Sequence, residues 1–343
     1  MQPSISSENQ EPLIQDARED ISKNSTRASN YRSLLVAVKI LAGLALLVLA
    51  VRGIQFESLV AAIRSADLGW LVSSVLMVLL GLGLKLWRWR ILTRNYQIQA
   101  GFPRLFSAYF VGQAANILLP LRGGELIRLG YFGGEKQLLP AATTTVVIEK
   151  YLDLLTLTLC CIIVSLNISL DNVLNLRGLL LPTTLVVSAL LLIAVALGPS
   201  LWQKARKQAW LPRRLVPWLD RWVQASLWLR KPRQVLPALA LTILVWLVMW
   251  ATNLFLFKSL GLPLGASAGG LVLVLVYIGL LPALMPGNIG PFYFFASVAL
   301  LPFAIAHGQA VAYAVLLHAI VTLPPLLAGA IGLLIRSKPP TLV

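Results

Sequence analysis

LLPLRGGELIR, running from Leu118 to Arg128, sets Arg122, Glu125 and Arg128 around a glycine pair in the middle of otherwise apolar sequence. An ionisable group at the centre of a membrane helix costs about 2.5–3.5 kcal/mol on insertion scales. Such groups therefore face a protein-lined or watery cavity and mark function by default. Pro120 removes a backbone donor, and Gly123 and Gly124 each cost about 1 kcal/mol in a helix interior. The stretch thus predicts a broken helix that restarts at Glu125. The free N–H groups of the new helix, carrying about half a positive charge, would then point at whatever lies near Arg122. Arginine beside a helix N-terminus suits an anion such as a phosphate.

The surrounding composition places this stretch in a membrane. Of 343 residues, 58% are hydrophobic and 12% charged, and the mean hydropathy is +0.79. An ordinary soluble domain is about 45–50% apolar. Several runs approach the roughly 20 apolar residues that carry a helix across about 30 Å of hydrocarbon. They are rich in Leu, Val, Ala and Gly without period-2 alternation, which predicts an all-α polytopic protein rather than a barrel. The net charge of +16 lies in short loops beside apolar segments. Positive charge so placed marks the cytoplasmic side and does not form a nucleic-acid surface. Cys160 and Cys161 are adjacent in one predicted helix and form neither a routine disulfide nor a metal site. The polar leader before Leu34 does not read as a cleavable signal, so the first apolar segment is expected to be retained.

Taken in order, 1–33 reads as a disordered cytoplasmic tail, 34–336 as one transmembrane unit and 337–343 as a C-terminal tail. Spans are expected at Leu34 to Val51 and Trp70 to Leu86, with a short interfacial helix between them. The second span ends in Lys85, Trp87, Arg88, Trp89, Arg90 and Arg94, which reads as an aromatic and basic belt at the cytoplasmic interface. Phe102 to Pro120 runs into the broken stretch. Pro140 to Leu166 reads as a long helix with Glu149 and Asp153 one turn apart on one face. After a span at Leu179 to Leu197, the basic loop 199–233 carries five tryptophans and predicts amphipathic helices on an anionic leaflet. Val235 to Phe257, Gly269 to Leu284, Phe292 to Ile305 and Ala310 to Ile335 complete the apolar segments, with the break MPGNIGP at Met285 to Pro291.

Parity constrains the topology. If Asn167 to Arg177 is outside and Arg88 to Arg104 inside, two apolar segments share a single crossing, so the segment ending at Pro120 must turn back. The same count from Leu260 to Arg336 fits a second hairpin with Pro286 to Gly290 at its tip, although three ordinary crossings satisfy it too. The expected architecture is about six full spans plus two re-entrant helical hairpins, arranged as an inverted repeat with its site at the midplane.

Three motifs, PLRGGELIR at Pro120 to Arg128, IEKYLD at Ile148 to Asp153 and PGNIGPFYFF at Pro286 to Phe295, resemble the flippase-like transmembrane domain of lysylphosphatidylglycerol synthases. The resemblance covers roughly Val36 to Ile335. It implies a multi-pass protein of the cell (inner) membrane that moves lipids or lipid-linked molecules between leaflets without nucleotide hydrolysis. It also implies functional positions at Arg122, Gly124, Glu125, Arg128, Glu149, Asp153, Pro286, Gly287 and Gly290. The chain departs from the pattern at Lys150, where arginine is usual, and at Tyr293, a position more often polar or acidic. The aminoacyl-transfer domain is absent from this sequence, so lysyl-lipid synthesis is not expected.

Two readings stand for the central charges. Arg122 and Arg128 either clamp a headgroup phosphate or form internal salt bridges to Glu149 or Asp153, and a transporter would alternate between the two. The carboxylates are also candidates for carrying protons. His318 reads as a packed helix residue. No cofactor, metal site, P-loop or nucleophile elbow is read, and the chain is not expected to be an enzyme. The expected partners are a membrane phospholipid or polyprenyl-linked lipid in the site and anionic headgroups at the basic loop, with homo-oligomers left open. The alternatives are a membrane enzyme acting on a headgroup and a non-transporting scaffold of an envelope synthesis complex.

Overall fold

The computed structural model describes residues 63–119, 123–134, 137–167, 197–205, 216–228, 231–281 and 285–335, with isolated positions elsewhere. The tails, the first span, most of the interfacial segment after it, Pro120 to Arg122, the loop after Asn167 and most of the Leu179 to Leu197 span lie outside the described residues.

The described residues form helices and no strand: α1 (Leu68–Asn95), α2 (Phe102–Leu118), α3 (Gly124–Gly130), α4 (Leu139–Asn167), α5 (Val216–Trp228), α6 (Pro232–Ser259), α7 (Ala266–Gly279), α8 (Pro291–Val298) and α9 (His307–Leu334). The helices α1, α6 and α9, each of 28 residues, are long and apolar enough to cross a membrane. At 1.5 Å per residue each is about 42 Å long. The chain is an all-α membrane protein.

Helix α1 differs from its expected form. It runs nine residues beyond Leu86, through the supposed interfacial belt, and Arg88 and Trp89 are fully buried. Successive residues turn by 100°, so Arg88 lies about 160° from Arg90. Trp87, Arg90 and Arg94 share one face, whereas Arg88, Trp89 and Leu92 turn inward. The α4 prediction was accurate to one residue at each end. The segment after the second break is shorter than expected. Helix α8 stops at Val298, and a 3-10 turn at Leu301–Phe303 precedes α9.

Both breaks produce hairpins. After Leu118 the chain leaves helical geometry, restarts at Gly124 and returns along α2. Gly124 lies against Gly112 and Asn116, Arg128 against Gly112, and the Arg104 guanidinium donates to the Tyr131 carbonyl at 2.7 and 3.0 Å. In the second half α7 ends at Gly279, and the Phe295 ring of α8 closes onto that glycine, so the chain doubles back there as well. Eight residues span about 12 Å, so α8 is too short to be an ordinary crossing. The turn between α7 and α8 uses positive φ at Gly287 (67°), Asn288 (55°) and Gly290 (94°), a region that glycine and asparagine tolerate best.

The two halves match element by element. A 28-residue helix, a hairpin of a longer and a shorter arm, and a helix of 28 or 29 residues occur twice. Packing is reciprocal: α2 lies on α9, and its counterpart α7 lies on α4. At the centre α1 and α6 run antiparallel. Asp67 donates its N–H to the Ser259 carbonyl at one end, and Arg88 reaches Thr242 toward the other. Exchanging two antiparallel central helices inverts the direction of everything attached to them, as an inverted repeat requires.

Small residues allow this packing, as expected where lipid supplies no hydrophobic drive between helices. A Cβ on Gly124 would run into the Gly112 carbonyl and the Asn116 amide, both backbone. Gly124→Ala is therefore expected to destabilise the protein by about 1–3 kcal/mol through overpacking. Gly83→Ala, whose Cβ would meet nothing within 4 Å, should leave it unchanged. Thermal unfolding of the detergent-solubilised protein compares the two.

Candidate functional site

The charges of α1, α3 and α4 converge on one buried cluster. Arg88 donates from Nη1 to Asp153 Oδ1 at 2.6 Å and from Nη2 to Asp153 Oδ2 at 3.1 Å, a two-pronged pair. Its Nη1 also donates to Thr242 Oγ1 at 3.0 Å, and its Nη2 lies 3.3 Å from Glu149 Oε1. The other Glu149 oxygen accepts from Arg128 Nη2 at 2.8 Å. Glu149 thus sits between two guanidinium groups, and Arg88 links both carboxylates. The one-turn spacing of Glu149 and Asp153 on α4 lets a single arginine reach both.

Aromatic rings fix Arg128. Its guanidinium lies 3.8 Å from the centroid of the Trp89 ring and 4.6 Å from that of Tyr109, a cation–π arrangement. Trp89 is held in turn by its indole N–H, which donates to Thr145 Oγ1 at 3.1 Å, and Gln113 donates to the Tyr109 hydroxyl at 3.1 Å. Nearer the break, Glu125 at the start of α3 pairs with Lys150 at 2.5 Å.

Beside the cluster lies a cavity of about 350 Å³ shared by the two halves. Gln113, Asn116 and Glu125 reach it from the first hairpin, and Gly287, Asn288 and Phe292 from the second. Lys85, Arg88, Glu149, Lys150 and Asp153 line one side, while Thr252, Asn253, Tyr277, His318 and Thr322 line the other. The second side carries hydrogen-bonding groups without Asp, Glu, Lys or Arg among the described residues, set among apolar side chains such as Val272, Leu317 and Val321. Asn253 accepts from the Tyr313 hydroxyl at 2.6 Å. His318 Nε2 lies 2.8 Å from the Gly287 carbonyl, which only accepts, so Nε2 carries the proton. The other nitrogen, Nδ1, is 2.9 Å from the Tyr293 hydroxyl. His318 thereby ties α9 to the tip and the short arm of the second hairpin.

The expected site residues divide as follows. Glu125, Glu149, Asp153 and Gly287 line the cavity. Arg128 stands behind it as a partner of Glu149, Gly124 seats α3 on α2, and Gly290 and Pro286 shape the second turn. Arg122 lies outside the described residues. Of the two readings of Arg128, the internal salt bridge is present. The sequence reading missed Arg88, which it assigned to the interface because it sits among tryptophans and arginines. The signal that separates it is its helical phase: Gly81, Lys85, Arg88 and Leu92 form one stripe opposite Trp87 and Arg94.

A cavity between two broken hairpins, with ionic and hydrogen-bonding groups set among apolar side chains, inside a bundle of long apolar helices, defines a membrane protein of the inverted-repeat kind. The chain belongs to the lysylphosphatidylglycerol synthase transmembrane region family, whose model matches residues 35–329. No curated protein matches it.

Removing one partner from a buried ion pair costs about 3–5 kcal/mol, because the other charge is left uncompensated. Arg88→Met is expected to destabilise by that order. Asp153→Asn should cost less, since the Asp153 side chain is 32% exposed. Thermal unfolding should also show Arg88→Met and Glu149→Gln to be non-additive, because the two side chains share one network.

Proposed function

We propose that this protein transports an anionic lipid between leaflets, holding the headgroup in the central cavity while the acyl or isoprenoid tails stay in the bilayer. The observation that carries this reading is the cavity itself, built by the broken tips of both halves and lined by charge on one side. A site shared by two inverted halves can open to either face by rocking one half against the other. Membership of a family named for a lipid synthase supports lipid as the cargo. The ligand is a phospholipid or a polyprenyl-phosphate-linked lipid, and the site lies in the cell (inner) membrane, crossed several times.

Transport requires a site that can exchange partners. The Arg88, Arg128, Glu149 and Asp153 cluster is internally balanced, so it stays paired and holds the charged wall in place while one headgroup is exchanged for the next. We read the protein as a transporter and not an enzyme, because the carboxylates that would serve as bases are engaged with these arginines.

Reconstitution into liposomes with a headgroup-labelled anionic phospholipid tests the proposal. An impermeant quencher added outside should reach the inner-leaflet label only when the protein is present. Glu149→Gln, purified folded, should slow that component at least about tenfold, the loss expected for a charge-assisted contact. A quenching level identical with and without protein contradicts the proposal.

A further inference from the structure

The charges around the cavity do not cancel. Among the described residues at the cavity and the cluster behind it, the cations are Lys85, Arg88, Arg128 and Lys150, and the carboxylates are Glu125, Glu149 and Asp153. Arg88 and Arg128 are matched by Glu149 and Asp153, and Lys150 by Glu125. Lys85 remains, lining the cavity without an ion-pair partner. It stands one turn before Arg88 on the inward stripe of α1, about 15 Å of helix from the end at Asn95. Arg90 and Arg94 occupy the positions nearer that end. An uncompensated charge facing a cavity at such depth is expensive unless water or an anion attends it.

We propose that Lys85 is the group that takes the charge of the headgroup, and that its single uncompensated charge selects a singly charged phosphodiester over a diphosphate. The inference rests on the lipid-transport reading and narrows its ligand. A phosphodiester carries one negative charge, which Lys85 neutralises while both arginines stay paired. Among the described residues, the additional charges of a diphosphate would find cations only by pulling Arg88 or Arg128 from their carboxylates. Breaking a buried pair in that way is strongly unfavourable. Arg128 is also held against two rings and Arg88 by Thr242, so neither is free to follow a ligand. The far wall, with Asn253, Tyr277, His318 and Thr322, offers hydrogen bonds but no further cation among the described residues.

Lipid binding to the purified full chain, measured by native mass spectrometry with competing lipids, tests this. The unaltered chain should prefer phosphatidylglycerol over zwitterionic phosphatidylcholine, and over a polyprenyl diphosphate, by about tenfold, the scale of one charge-assisted hydrogen bond. Lys85→Met should abolish the preference over phosphatidylcholine without changing Tm, and Lys85→Arg should retain it. If the preference survives Lys85→Met, or is lost in Arg122→Ala instead, Lys85 is not the reader, although lipid transport stands. Tighter binding of the polyprenyl diphosphate overturns the charge selection. Equal competition by water-soluble glycerophosphoglycerol overturns the lipid as the source of the phosphodiester. Absence of any bound lipid on the unaltered chain removes the transport reading itself.

Discussion

Two guanidinium groups and two carboxylates share one buried cluster where α1, α3 and α4 meet, and the geometry of the first half follows from satisfying them together. Arg88 on α1 reaches both Glu149 and Asp153 on α4, so the rotation of α1 about its axis is fixed. Arg128 on the short arm of the first hairpin must come within 2.8 Å of Glu149. That places α3 beside α4 and obliges the chain to turn back at the Pro/Gly break. Glycine at 112 and 124 then makes the close return physically possible. A charge cluster of this kind contributes little net stability compared with apolar packing, but each arrangement that leaves one member unpaired is strongly penalised. The cluster therefore works against alternative registers more than it adds to the depth of the native well.

The second half meets the same problem without ions. Its tip is secured by His318, bonded to the Gly287 carbonyl and close to the Tyr293 hydroxyl, and its cavity wall by the Tyr313 to Asn253 hydrogen bond. Two halves of one architecture thus carry different chemistry on opposite sides of a common cavity. The charged side suits the anionic part of a ligand and the hydrogen-bonding side suits its neutral polar part. That division gives a symmetric scaffold an asymmetric site, which a headgroup with one charge and several hydroxyl or amine groups would fill. The basic segment between the halves has a structural part as well. Helix α5 buries Ala225 and Trp228 against Ile148 and Leu152 of α4, flanking Glu149 in sequence. It is packed on the bundle through that face.

Much of this was legible in the sequence. Pro120, Gly123 and Gly124 announced the first break, and the one-turn spacing of Glu149 and Asp153 announced a shared face. The count of basic loops required a hairpin before any contact was known, and the family resemblance joined the motifs. Arg88 was not legible by the same rules, because a cluster of Trp and Arg at the end of an apolar run normally marks an interface. Only the phase of each residue around α1 separates the buried Arg88 and Trp89 from the outward Trp87 and Arg94, and phase matters only once a partner helix is in place. The end of α8 was missed for a related reason. Phe292 to Ile305 is uncharged and mostly apolar, and hydropathy does not register the stop that the 3-10 turn at Leu301–Phe303 imposes. The pairing of α2 with α9 and of α7 with α4 depends on the shapes of long-range surfaces, which no local pattern encodes.

The central claim is that one cavity between the hairpin tips serves both faces of the membrane. Thr322 lines that cavity from α9. A single cysteine there, in a chain with Cys160 and Cys161 replaced by alanine, reports access when an impermeant maleimide is applied to sealed vesicles from one side at a time. The account predicts labelling from each side, slowed from both by an anionic phospholipid headgroup in the site. Labelling confined to one side, however long the exposure, would contradict it.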